Sequence, residues 1–115
     1  MTGAAGIEVD RADPALGTPR DTVVLATARI ASPRYFVAIE DLEAIDGCTS
    51  GERNHNVRAD MTLRVLAGGG AVFSVGSIAW SSCLPHDGYD NNVERVTWNV
   101  LRAFLEDELE PTTIG

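Results

Sequence analysis

Three groups of residues in this 115-residue chain have the types and spacing to do chemistry. Glu8 and Asp10 stand at i and i+2, where an extended backbone sends both carboxylates to one face. Paired carboxylates in unlike surroundings divide into an acid and a base; the plainer reading is the edge of a solvated strand. Cys83-Leu84-Pro85-His86-Asp87 sets a thiol, an imidazole and a carboxylate close together, the parts of an activated nucleophile. As neighbours in a proline- and glycine-bearing loop they read more simply as a solvated turn. Ser74 and Ser77 are hydroxyls in an apolar run. Val72-Phe73-Ser74-Val75-Gly76 lacks the first glycine of a nucleophile elbow, so both read as ordinary strand serines.

Other motifs fall away on inspection. Gly68-Gly69-Gly70-Ala71-Val72-Phe73 has Phe73 where a dinucleotide-binding loop needs its third glycine. A strand follows it, where a helix N-terminus is required. A hairpin turn is the better reading. His55, between Asn54 and Asn56, reads as a loop histidine. No second ligand at metal-type spacing accompanies it, so no metal site is assigned. Cys48 and Cys83 are far apart and read as reduced thiols, which suggests a cytoplasmic protein.

The elements that must position these residues are short. Ile7-Glu8-Val9-Asp10 alternates as a brief extended piece, and Asp13-Pro14 and Thr18-Pro19 mark loop. Thr22 to Thr27 is β-branched and apolar on both faces, which predicts a central strand of a parallel or mixed sheet. Tyr35 to Glu40 reads as a second strand, and Asp41 to Ile45 as a helical turn. Asp46 to Asn56 reads as a polar loop. Asp60 to Leu66 alternates as a half-exposed strand. Gly68-Gly69-Gly70 turns the chain into a more buried strand over 71–77. Apolar spacing predicts one long amphipathic helix over 91–108, opened by Asn91 with Glu94 three residues on. Acidic residues at its end oppose the helix dipole, Pro111 stops it, and 109–115 is expected to fray. Trp98 lies at the border of the apolar face, as peripheral core or as an interface anchor.

The expected architecture is a single α/β domain over 1–115, with a mixed sheet of about four strands, a C-terminal β-hairpin and one long helix. Strands apolar on both faces need cover on both sides. One helix cannot supply it, so the chain is expected to lack part of its own core and to associate. A formal charge of -8 disfavours nucleic-acid and anionic-membrane partners. The longest apolar run, Ala71 to Trp80, is too short to cross a bilayer, and no secretory signal is visible.

Several segments resemble one family. Gly3-Ala4-Ala5-Gly6-Ile7-Glu8-Val9-Asp10-Arg11, Leu16-Gly17-Thr18-Pro19 and Val23-Val24-Leu25-Ala26 come first. Arg58-Ala59-Asp60-Met61, Gly69–Trp80 and Asn91 to Leu101 follow in the same order. Together they are similar to the C-terminal region of N,N-dimethylformamidase large (beta) subunit-like proteins. Ser81-Ser82-Cys83 departs from that pattern, and residues 29–57 match it poorly.

The resemblance implies a partial class I glutamine-amidotransferase-like (flavodoxin-like) domain. It implies hydrolysis of the C–N bond of small formamides to formate and an amine, with a mononuclear iron whose tyrosine and glutamate ligands lie upstream. On this chain it implies no cofactor and no metal. It makes Glu8 the candidate catalytic acid or base, with Asp10 in support. The expected partner is the missing upstream domain or a second copy of the chain, and the segment is expected to be inactive alone. The other reading is a non-catalytic interaction module derived from the same fold.

Overall fold

The computed structural model describes residues 3–37 and 48–106. Among these, the chain is α/β. Three antiparallel strands, β1 (Val23–Arg29), β2 (Arg58–Val65) and β3 (Ala71–Ser74), lie in the order β1-β2-β3. A short helix α1 (Ala79–Cys83) and a long helix α2 (Asn92–Glu106) follow.

The β2–β3 hairpin pairs Leu63 with Phe73 and Val65 with Ala71. Its turn closes through Leu66 N–H to Gly70 O and Gly69 N–H to Leu66 O, both 3.0 Å. Gly69 and Gly70 sit at φ +84° and +76°, which side chains disfavour, so the triple glycine is a hairpin turn, as expected. Helix α2 starts as its sequence predicts, with the Asn91 side-chain oxygen accepting the Glu94 N–H at 3.0 Å. It packs Val100 and Ala103 on Leu63, with Leu25, Ala71, Phe73 and Val96 around them. Residues 109–115 lie outside the described residues.

Other expectations need correction. The mixed sheet of about four strands is, among the described residues, three-stranded and antiparallel. β1 is its edge rather than its centre, and Val23 and Val24 are 42% and 48% exposed. The strand placed at 35–40 shows only a bridge from Phe36 to Ser50 over its described part; the rest of it and the helical turn at 41–45 lie outside the described residues. The burial order of the hairpin is reversed. β3 ends at Ser74 with Val72 exposed, whereas β2 carries the buried Ala59, Asp60 and Leu63.

The physical reason lies in β2. Arg58, Asp60, Thr62 and Arg64 alternate as a solvent face would, yet the N-terminal segment covers the Asp60 end of that face. Asp60 N–H donates to Asp10 O at 2.9 Å. The Asp60 carboxylate accepts from Ala12 N–H (2.9 Å), Thr27 Oγ1 (2.7 Å) and Arg58 Nε (2.9 Å). Arg58 Nη2 donates in turn to Ala12 O at 2.9 Å. A buried carboxylate is tolerable only when so paired.

Candidate active-site segment

The segment Gly6–Asp10 is held from several sides. Val9 bridges Ser77, with Asp10 N–H donating to Gly76 O at 2.9 Å and Ile78 N–H to Glu8 O at 3.4 Å. Gly76 must be glycine. Its φ is +62°, and a Cβ there would lie 2.6 Å from Asp60 O and 2.8 Å from Asp10 O. The N-terminal segment, β2 and the end of β3 therefore meet backbone to backbone at this point.

One residue before Glu8 the chain makes a three-residue γ-turn. Glu8 N–H donates to Gly6 O at 2.9 Å and Ile7 stands at φ +67°. For a β-branched residue that is a genuine outlier, with a cost of about 1–3 kcal/mol that the surroundings must offset. Ser77 and Tyr35 do so. The Ser77 hydroxyl, in a residue 9% exposed, accepts from Gly6 N–H (2.8 Å) and Ala79 N–H (3.2 Å) and donates to Gly6 O (2.8 Å). The Tyr35 hydroxyl accepts from Ile7 N–H at 2.8 Å.

Glu8 and Asp10 flank Val9 and are both exposed. Neither carboxylate has a hydrogen-bonding or ionic partner among the described residues. Nearby, Asp13 caps a short 3-10 turn (Pro14–Leu16) by accepting from Ala15 N–H. The hydrogen bond from Arg11, then that from Ala15, holds its carboxyl below the usual range.

The Cys83–Asp87 group is more organised than a solvated turn. Leu84 and Pro85 keep helical backbone angles after α1, so Cys83 and His86, three apart, come to one side. Both line a cavity of about 380 Å³ with Ile7, Asn91 and Val93. His86 Nδ1 meets Asp87 Oδ2 at 3.1 Å, but the Asp87 side chain is 71% exposed, and such a pair contributes little. The loop's shape comes from Asn91, whose amide donates to Leu84 O (3.0 Å) and His86 O (2.7 Å).

The remaining candidates have structural roles. Ser77 is a backbone clamp, and Ser74 Oγ accepts from Gly76 N–H at 3.4 Å. His55 is exposed in its turn, and its carbonyl accepts from Arg58. Trp98 is 57% exposed and is not core. Trp80 is the tryptophan that joins elements, donating to Thr97 Oγ1 at 3.0 Å. Among the described residues no three His, Cys, Asp or Glu side chains gather as a metal site. Sequence reasoning missed Asp60, Tyr35 and Ser77 as builders of this segment. Opposite charges at i and i+2, Arg58 and Asp60, were the available signal for the first; none existed for the other two.

The described residues thus form an α/β piece that presents Glu8 from a clamped turn. Residues 1–93 match the family model described as N,N-dimethylformamidase beta subunit-like, C-terminal, and the chain belongs to that family. It is 43% identical to the N,N-dimethylformamidase beta subunit of Paracoccus aminophilus over 95% of its own length. It is 42% identical to the subunit of the same name from an Alcaligenes species over the same share. It spans only 14% of each of those proteins.

Proposed function

We propose that this chain acts as the C-terminal part of an N,N-dimethylformamidase-like amide hydrolase, with Glu8 as its catalytic acid or base and Asp10 in support. The observation that carries the reading is the clamped, strained turn that ends at Glu8, whose carboxylate has no partner among the described residues. Strain of this kind persists where the surroundings over-determine it, and it clusters at functional sites.

In the reaction, water attacks the formyl carbon, the C–N bond breaks, and the amine leaves with a proton. The Glu8 carboxylate takes the proton from the attacking water and, once protonated, gives it to the departing nitrogen. Such transfers contribute about 10²–10⁴ in rate. This segment's proposed share of the chemistry is the proton transfer by the Glu8 carboxylate. The iron of the resembled family belongs, on this reading, to tyrosine and glutamate ligands in the rest of the subunit.

The rest of the subunit is also the proposed partner. β1 is apolar on both faces yet, among the described residues, lies at an edge with Val23 and Val24 exposed, and such an edge invites a further strand. A larger glutamine-amidotransferase-like sheet would continue there. Among the described residues no helix is long and apolar enough to cross a membrane. Cys48 and Cys83 are not disulfide-bonded, which suits the proposed cytoplasmic location. The second reading, a non-catalytic interaction module, is favoured by Trp98, Leu101 and Leu105, exposed at helical spacing on α2.

The test is reconstitution of this chain with the remainder of such a subunit. The chain alone should not hydrolyse a formamide. In the complex, Glu8→Gln should lower turnover by about a hundredfold or more with assembly intact, and Asp10→Asn should matter less. Near-normal turnover of Glu8→Gln would leave the interaction-module reading standing.

A further inference from the structure

We infer that Tyr35 and Ser77 are positioning residues for Glu8, holding Gly6 and Ile7 in the turn that aims its carboxylate; this rests on the amide-hydrolase reading of Glu8.

Three consecutive amides before the carboxylate are each assigned a partner. Gly6 N–H goes to Ser77 Oγ, Ile7 N–H to the Tyr35 hydroxyl, and Glu8 N–H to Gly6 O. Two of these partners come from 71 and 28 residues away in sequence, so the turn is imposed by the fold and not by local preference. Local preference runs the other way, because Ile7 at φ +67° would relax to extended backbone if released. That relaxation would swing Glu8. Ser77 closes the clamp from below by taking both polar groups of Gly6 while capping the chain into Ala79. Beyond Glu8 the backbone is fixed again at Ile78 and Gly76. The main chain is thus pinned on both sides of a side chain that makes no bond of its own among the described residues. A staple with no further role would have no need of a strained residue next to the carboxylate.

The test uses the subunit assembled with this segment. Tyr35→Phe keeps the ring and removes the acceptor. It should lower kcat by about tenfold or more with KM within about twofold, because small misplacements of a catalytic group are costly. The limb of the pH–rate profile that Glu8→Gln abolishes should survive in Tyr35→Phe. Ser77→Ala should behave alike. Adding Ile7→Gly to Tyr35→Phe should restore a small part of kcat, since glycine reaches positive φ without the strain that isoleucine carries there.

On the isolated chain, Tyr35→Phe should speed amide hydrogen exchange at Ile7 by about tenfold, a readout independent of activity. Unchanged exchange at Ile7 overturns the clamp. Normal kcat in Tyr35→Phe beside a dead Glu8→Gln overturns the positioning role and leaves the hydrolase reading intact. Normal kcat in Glu8→Gln overturns both. If Ser77→Ala fails to fold, Tyr35→Phe and its exchange rate decide alone.

Discussion

Two elements cover the central strand β2, and they are built by opposite means. The N-terminal segment lies on one face and is fixed there through hydrogen bonds, with Asp60 gathering a strand neighbour, a threonine hydroxyl and a backbone amide. Helix α2 lies on the other face and is held by apolar contact of Val100 and Ala103 on Leu63. The polar side is directional, and it stores strain at Ile7. The apolar side is less finished. Its inner stripe is buried, yet Trp98, Leu101 and Leu105 remain 57%, 53% and 85% exposed. Hydrogen bonds fix the direction of a group, which a reacting carboxylate needs. Apolar area does not, but it is the main source of association. On the proposed reading the hydrogen-bonded side would present the carboxylate, and the exposed stripe of α2 offers a second docking surface beside the β1 edge.

The sharpest way to break this comparison is Asp60→Ala. Removing the carboxylate leaves Arg58, Thr27 and the Ala12 amide without their acceptor. The expected loss is about 3 kcal/mol or more, a large share of the stability of a small domain. Asp60→Asn should destabilise less, because it loses the charge that pairs with Arg58 while its oxygen can keep Ala12 N–H and Arg58 and its amide can donate to the Thr27 hydroxyl. Denaturant unfolding measures both. A loss below about 1 kcal/mol for Asp60→Ala would mean that the polar side is not held as described.

Trp98→Ala probes the other side and should separate stability from association. As an exposed residue it should change the unfolding free energy of the isolated chain by no more than about 0.5 kcal/mol. If α2 docks on the rest of the subunit, the same substitution should weaken that complex by about 2 kcal/mol or more, as buried tryptophan anchors do. Titration calorimetry with the purified remainder reads the second number. Unchanged affinity would move the docking surface away from α2 and toward the β1 edge.

The apolar side was the more legible in sequence. Helical spacing from Val93 to Phe104, the Asn91 cap and the glycine turn at 68–70 are local signals, and local signals survive into the structure. The carboxylate pair at Glu8 and Asp10 was visible for the same reason. The polar side was not. Alternation along 58–65 shows that two faces differ, but not that a segment fifty residues earlier covers one of them. A composition apolar on both faces predicts a central place for β1; composition reports what a strand is suited to contact, and among the described residues those contacts are incomplete. The positive φ at Ile7 has no sequence signature, since isoleucine is among the last residues expected there. It becomes understandable only once Tyr35 and Ser77 are seen to hold it.

The smallest expected effect is on pH. The Arg11 hydrogen bond, then the Ala15 amide, lowers the pKa of Asp13, and the Arg64 hydrogen bond at 2.8 Å lowers that of Asp21. A carboxyl whose folded pKa is depressed adds stability that is fully present above its unfolded value. That stability is lost as pH falls through the folded one. Both groups are solvent-screened, so each effect is modest. They sit on the hydrogen-bonded side and at the β2 end, away from α2. The chain's Tm should therefore be nearly flat from about pH 7 to 5 and then fall as the aspartates protonate. Asp13→Asn should lower the plateau slightly and flatten the acid slope. The corresponding change on the apolar face, Trp98→Ala, should shift neither. Thermal unfolding of the unsubstituted chain and of Asp13→Asn, Asp21→Asn and Trp98→Ala across this range makes the comparison, and an acid slope unchanged by both Asp13→Asn and Asp21→Asn would show that acid sensitivity arises elsewhere.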